Sequence, residues 1–313
     1  MEPSGYVIGV GAANADISGR SRRPIRLRDS NPGSMVSSAG GVTRNVCENL
    51  ARLGVSTRLI SALGDDVYAE LIRRECAEAD LDVSLCPVIP NHASSTYISI
   101  LDDSGDMLAA LSDMSVLREL PVSYLWEKAE IIRGARAVIC DPCLPEPTLL
   151  ALLEICKGYV PVCSDPVSTS YARVLAPHVG LLDTVKPNRM ELETLSGVPV
   201  EDDVSLQNAC EVLLKKGLRR VIVTLGKEGC FYMDTSGCTM FRRLRAVEQM
   251  ANANGGGDAF TAGLLYADLS GLSLPDALDF ALAAGIAAVI CPKTVNPDIN
   301  PSLIHSILKE YRL

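Results

Sequence analysis

The feature that most constrains this chain is an alternation. Short apolar runs ending in glycine or a polar residue are each followed by a stretch with helical periodicity. Tyr6-Val7-Ile8-Gly9-Val10-Gly11, residues 57–63, 137–140 and 160–163, and Val221-Ile222-Val223-Thr224-Leu225 are such runs. Their length and their lack of alternating polar residues predict strands buried on both faces. Between them Val42, Val46, Leu50 and Leu53 recur at helical spacing before Gly54, and residues 67–79, 146–156, 202–217, 274–290 and 301–311 read as further helices. Strands alternating with helices build a predominantly parallel sheet flanked by helices on both faces. With 313 residues, no internal repeat and no linker long enough to divide it, the chain is expected to form one domain over residues 1–313.

Two stretches interrupt the alternation. Residues 18–38 are basic and turn-rich, with Asn31-Pro32-Gly33 as a turn signal. Ser95-Thr96-Tyr97-Ile98-Ser99-Ile100-Leu101 and Met107-Leu108-Ala109-Ala110-Leu111 flank the hairpin chemistry of Asp102-Asp103-Ser104-Gly105. Together, segments 18–38 and 93–113 are expected to form a small β lid. Residues 231–241 read as another hairpin, turning at Asp234-Thr235-Ser236-Gly237.

The chemistry-bearing residues cluster at strand ends, where open α/β sheets bind ligands. Asn14 and Asp16 follow the first strand; Asp16 is equally a turn-forming acid. Gly40-Gly41 opens a helix with Asn45 one turn in, which permits close approach to a ligand or merely starts the helix. Pro187 keeps Lys186 extended, and Asn188 is a good N-cap for which Glu191 closes a capping box. A second reading places Asn188 and Glu191 beside a magnesium–phosphate. Thr224 and Gly226 mark another strand end, with Gly229 bounding the turn. Finally, Asn252-Ala253-Asn254-Gly255-Gly256-Gly257-Asp258 runs into a helix. Glycines that leave N–H groups uncovered at a helix N-terminus make an anion cradle. The dipole would favour Asp258 as a carboxylate able to take a proton there. The plainer alternative is an N-cap acid after a flexible loop.

Composition narrows the partners. A net charge of −9 argues against nucleic-acid and acidic-lipid surfaces, and no apolar run reaches the ~20 residues that span a bilayer. Residues 1–5 lack the basic and apolar regions of a signal peptide. Eleven cysteines without framework spacing suggest reduced thiols in a cytoplasm. Cys140-Asp141-Pro142-Cys143 is the one C-x-x-C, with no second pair at zinc spacing, so it is read as structural.

Taken in order, Asp16, Gly40-Gly41 with Asn45, Asn188-x-x-Glu191, Thr224-x-Gly226 and Gly255-x-Gly257-Asp258 resemble the PfkB (ribokinase-like) family of carbohydrate and nucleoside kinases over essentially the whole chain. Within it, Ser30-Asn31-Pro32-Gly33, Asp113-Met114, Asp165-Pro166-Val167-Ser168, Lys186-Pro187-Asn188 and Glu193-Thr194-Leu195-Ser196-Gly197 are similar to the bacterial pseudouridine kinases. The resemblance implies a ribokinase-like fold and transfer of the ATP γ-phosphate to the 5′-hydroxyl of a ribosyl substrate under a closing lid. Ribose, adenosine, uridine and cytidine are the alternative acceptors, and a non-catalytic sugar-binding relative is the alternative outside enzymes. It makes Asp258 the catalytic base and Gly255, Gly256 and Gly257 the anion hole. Asn14, Asp16, Gly40, Gly41 and Asn45 become sugar contacts, while Ser30 and Asp113 on the lid help choose the base. Asn188 and Glu191 order Mg²⁺ (Glu191 indirectly) and the phosphates, and Thr224, Gly226 and Gly229 form the nucleotide side. A homodimer paired through the lid is expected. The family pattern has Asp, Thr and Ala where this chain has Asn252, Ala253 and Gly256, which leaves a K⁺ site open and predicts a more flexible anion hole.

Overall fold

The computed structural model describes residues 5–247, 250–252 and 254–312; residues 1–4, read above for a signal peptide, and Ala253 lie outside them. The chain enters as β1 (Tyr6–Val10) and passes into β2 (Asn14–Ser21), β3 (Gly33–Gly40) and α1 (Val42–Arg52). Next come β4 (Ser56–Ile60), the two-residue β5 (Leu63–Gly64), α2 (Val67–Glu78), the two-residue β6 (Val88–Ile89), and the hairpin β7 (Thr96–Leu101) and β8 (Met107–Asp113). Short helices α3 (Val122–Glu127) and α4 (Ala129–Arg133) lead to β9 (Ala137–Cys140), α5 (Glu146–Cys156), β10 (Val162–Ser164) and α6 (Thr169–Leu175). β11 (Thr184–Val185), α7 (Arg189–Ser196), α8 (Asp203–Lys215) and β12 (Arg220–Thr224) follow. The hairpin β13 (Cys230–Asp234) and β14 (Thr239–Arg242) precede α9 (Gly256–Leu269), α10 (Leu274–Val289) and α11 (Pro301–Tyr311).

The central sheet has the order β14-β13-β12-β11-β10-β9-β1-β4. From β12 through β4 every pairing is parallel; β13 and β14 add an antiparallel edge. Alternate residues of β1 serve opposite faces: Ile8 and Val10 join the core under α3 to α8, whereas Val7 packs with α1, α2 and α9. Coverage on both sides is why these strands read as unbroken apolar runs.

A separate four-stranded sheet, β3-β2-β7-β8, forms the lid. Its register runs from Asn14↔Gly40 to Ser21↔Gly33. The lid is therefore larger than segments 18–38 and 93–113, and takes in Asn14, Asp16 and Gly40. Asn14 to Ser21 is a run of small and polar residues whose extended form comes from its neighbours β3 and β7, not from its own propensity. Helices α3, α4 and α6, of five to seven residues, are too short to show periodicity in the sequence.

Candidate active site

Parallel strands bring their C-terminal ends to one edge, so residues far apart in sequence emerge together. β1 lies between β4 and β9, the point where the chain's winding reverses, and a crevice opens outside such a junction. Asp141, directly after β9, spans it. Its Oδ2 accepts hydrogen bonds from Ala12 N (2.9 Å), Thr43 N (3.2 Å) and Thr43 Oγ1 (2.6 Å), and Oδ1 accepts one from Cys143 N (3.0 Å). This buried carboxylate fixes the exit of β1 against the start of α1. The C-x-x-C thus frames a structural acid: Cys140 and Cys143 are free, and burial pushes both thiols well above their ordinary range.

On the lid side, a side chain at Gly40 would place its Cβ 2.3 Å from Asp16 Oδ2, and Gly41 takes φ 99° against the Ala12 carbonyl. The paired glycines are required by this approach. Asn14 donates its amide N–H to Asp16. Burial raises Asp16 to about 6, opposed by the positive charge of Arg44. Arg44 is itself 1% exposed and paired with Glu48, which also binds Arg52 at 2.8 Å. Asn45, one turn into α1, donates Nδ2–H to Asp258 Oδ2 at 2.8 Å, while its buried Oδ1 has no partner among the described residues. Asn45 therefore joins the helix start at Gly40-Gly41 to the expected base.

Gly255, the residue before α9, sits at φ 81°, and a Cβ there would lie 1.9 Å from the Thr294 carbonyl oxygen. Among the described residues no side chain caps α9, so its first-turn N–H groups have no intrahelical acceptor and are of the kind that can receive an anion. Asp258 stands in this turn. Contrary to the dipole argument, its pKa rises to about 7: burial leads, the negative charge of Asp165 adds to it, and the Asn45 hydrogen bond, Lys186 and Arg44 oppose it. Desolvation of a carboxylate outweighs the helix-end term of at most ~2 kcal/mol. At Gly256 a Cβ would meet Val289 Cγ1 at 3.0 Å, a tight contact.

After β11 the capping box is present: Asn188 Oδ1 accepts from Glu191 N and Glu191 Oε2 accepts from Asn188 N, both at 2.9 Å. Asn188 also bridges to Thr224 at the end of β12. Gly226 (φ 59°) and Gly229 (φ 96°) bound a tight turn closed by Leu225 N to Gly229 O, 2.8 Å. Among the described residues no group of three or more His, Cys, Asp or Glu side chains could hold a metal ion. Hard oxygen donors do stand at this edge, Glu191 together with Asp165 and Asp258 around Lys186, and they suit a Mg²⁺ that keeps its phosphate and water ligands. Asn252 is engaged, its Oδ1 accepting from Asn254 N at 2.9 Å and its Nδ2 donating to Pro292 O at 3.4 Å.

Ser30 and Asp113 are the outlying candidates. Ser30 lies in the exposed connection beyond the Ser21↔Gly33 end of the lid, roughly 17 Å of strand from Asp16. Asp113 ends β8 opposite Thr96, whose other neighbour is Ala15, so it lies across the lid sheet from Asp16. It borders a cavity of about 460 Å³ also lined by Arg118, Cys143 and Tyr171. Sequence reasoning assigned no role to Asp165 and Lys186, which form a buried ion pair of 2.8 Å beside the glycine turn. The signal available was position: each is the first residue after a buried strand.

The pattern described as pfkB family carbohydrate kinase matches residues 5–301. A pseudouridine kinase of Escherichia coli K12 is 32% identical over 309 residues, covering 99% of this chain and 98% of that one. A guanosine-inosine kinase of Exiguobacterium acetylicum is 27% identical, covering 92% and 94%. Among solved structures, a carbohydrate kinase from Agrobacterium tumefaciens superposes with TM-score 0.85 at 25% identity over 98% of both chains. Arabidopsis thaliana ribokinase complexed with ribose and ATP gives 0.88 at 22% identity over 97% and 99%.

Proposed function

We propose a nucleoside 5′-kinase acting on pseudouridine, from the premise that the chain belongs to the pfkB family of carbohydrate kinases. The chain is a sugar or nucleoside kinase, a phosphotransferase with an alcohol group as acceptor. The observation that carries the reading is the 2.8 Å contact between Asn45 and Asp258, which joins the sugar-side glycines to a buried carboxylate beside an uncapped glycine turn.

Asn14, Asp16 and Asn45 orient the ribose hydroxyls. Asp258, poised near neutrality, takes the 5′-hydroxyl proton as that oxygen forms its bond to the γ-phosphorus of ATP. The bond from that phosphorus to the bridging oxygen breaks, and its electron pair leaves with ADP. The N–H groups after Gly255 neutralise charge on the transferring group. Asn188 and Glu191 would order Mg²⁺, which when bound supplies further neutralisation of the phosphates. Closure of the lid excludes water.

The choice of nucleoside rests on the relative and on the cavity beside Asp113. The hydroxyl and the backbone N–H of Ser115 hold the Asp113 carboxyl below its ordinary range, so it accepts hydrogen bonds. Pseudouridine, joined to ribose through carbon, offers two ring N–H donors where uridine offers one; Arg118 can donate to a ring carbonyl. Pseudouridine, uridine, cytidine, adenosine and ribose assayed with MgATP should give pseudouridine a kcat/KM at least ~10²-fold above the others. Phosphorylation of ribose but not pseudouridine would reverse the assignment. Because Asn252 is a neutral amide already engaged on both sides, exchanging K⁺ for tetramethylammonium in that assay should leave the rate unchanged. Activity that collapses without K⁺ sinks that part.

The lid exposes Met35, Val36, Ile100, Leu108 and Leu111, and pairing with a second copy would cover them. Light scattering should give twice the 33.4 kDa chain mass, whereas 33.4 kDa at micromolar concentration argues for a monomer. Eleven free thiols fit a cytoplasmic location, and no helix among the described residues is long and apolar enough to cross a membrane.

A further inference from the structure

We propose that Lys186 is a second catalytic residue, its ammonium contacting the phosphoryl group in transfer at the Gly255 turn while Asp165 holds it in place. The inference rests on phosphoryl transfer at that turn and not on which nucleoside accepts it. The pair is set by the sheet: β10 and β11 are parallel neighbours with Ser164 opposite Val185, so the next residue on each, Asp165 and Lys186, emerges side by side. Their Nζ–Oδ2 distance is 2.8 Å, and the side chains are 7% and 5% exposed. Lys186 Nζ also lies 3.0 Å from where a Cβ on Gly257 would stand, which puts the ammonium against the first turn of α9. An anion bound by the free N–H groups of that turn meets the ammonium there.

A buried ammonium is costly unless its charge is met and its three donors are used. Asp165 takes one donor, and no other hydrogen-bond partner of Nζ occurs among the described residues. The carboxylates facing Lys186 are Asp165, Asp258 and Glu191, so its charge is met on more than one side while donors are left for phosphate oxygens. The holder is itself braced. Asp165 Oδ1 accepts from Val167 N at 2.9 Å, within a turn closed by Ser168 N to Pro166 O at 2.7 Å. Val167 takes φ 67°, a left-handed conformation rare for a β-branched residue. Strain of this kind persists where surrounding structure over-determines a functional position. In the reaction Lys186 gives up no proton; its N–H groups strengthen their bonds to the phosphoryl oxygens while Asp258 takes the proton.

Lys186→Met, Asp165→Asn and the double variant separate this role from a structural one. Calorimetric titration with MgATP and with MgADP needs no acceptor and no turnover. Lys186→Met should bind MgATP about 10-fold more weakly or worse, with MgADP changed far less, and kcat should fall by about 10²–10³. The double variant, whose buried pair is neutral, should recover the thermal midpoint lost in Lys186→Met without recovering kcat. Recovery of kcat in the double variant, or equal weakening of MgATP and MgADP, overturns the proposal. A panel in which pseudouridine fails as acceptor leaves the nucleotide comparison intact, so the two readings fail separately.

Discussion

Asp258→Asn lowers kcat by about 10²–10⁴-fold, the usual worth of a positioned general base, yet leaves a protein that binds nucleoside and ATP and is more stable than the parent at pH 8. The loss follows from the proton: an amide cannot take it from the attacking hydroxyl. The gain in stability follows from burial. The Asp258 carboxyl titrates at about 7 in the fold against 3.8 when free, so the folded state binds the extra proton between those values. For a group whose folded pKa is raised, stability falls as pH rises through that window, because ionisation in the fold is opposed by desolvation and by Asp165. The neutral isostere removes up to about 4 kcal/mol of that cost above pH 7, and the difference disappears below about pH 4. Asn45 can still donate to the new amide oxygen. Parental kcat/KM should in turn rise along its acid limb with an apparent pKa near 7. Near-parental turnover in Asp258→Asn rules out the base; a lower thermal midpoint at pH 8 rules out the burial argument.

The second large effect comes from one methyl group. Gly255→Ala places a Cβ 1.9 Å from the Thr294 carbonyl oxygen, in a left-handed conformation at φ 81°. The conformation alone costs about 1 kcal/mol and the backbone displacement adds more, for a total of about 2–4 kcal/mol. Displacing this turn also misdirects the N–H groups that follow it, and losing one such donor typically costs 10²–10³ in kcat. A fall in thermal midpoint together with a fall in kcat is expected. A variant with the parental thermal midpoint shows that the turn tolerates a side chain and that its glycine is dispensable.

The parts legible in the sequence were those written in local chemistry. Buried strands announce themselves because coverage on both faces requires continuous apolar residues, as in β1 and β12. The capping box of Asn188 and Glu191 was readable because its partners are three residues apart. The lid strand from Asn14 to Ser21 was not, since its pattern satisfies no period and its form comes from β3 and β7. The pairing of Lys186 with Asp165 was silent for a different reason. They are linked only through the adjacency of β10 and β11, and the order of strands in a sheet is written in no local pattern. The ionisation of Asp258 was misread for want of its surroundings: helix position is local, whereas desolvation depends on everything packed above it.

One consequence follows from where β2 begins. The strand that starts the lid is the same strand that carries Asn14 and Asp16, and Gly11, Ala12 and Ala13 alone separate it from the central sheet. With Asn14 and Asp16 as the proposed sugar contacts, the cover and the grip on the sugar would be one mechanical part. Lid position and sugar affinity would then belong to a single equilibrium, in which each biases the other by the same free energy. An empty sugar site would leave the lid without the contacts that favour its closed position, and the nucleotide would wait in an incompletely assembled chamber. Fidelity toward an alcohol over water would in this way depend on the short connection of Gly11, Ala12 and Ala13 as much as on the base.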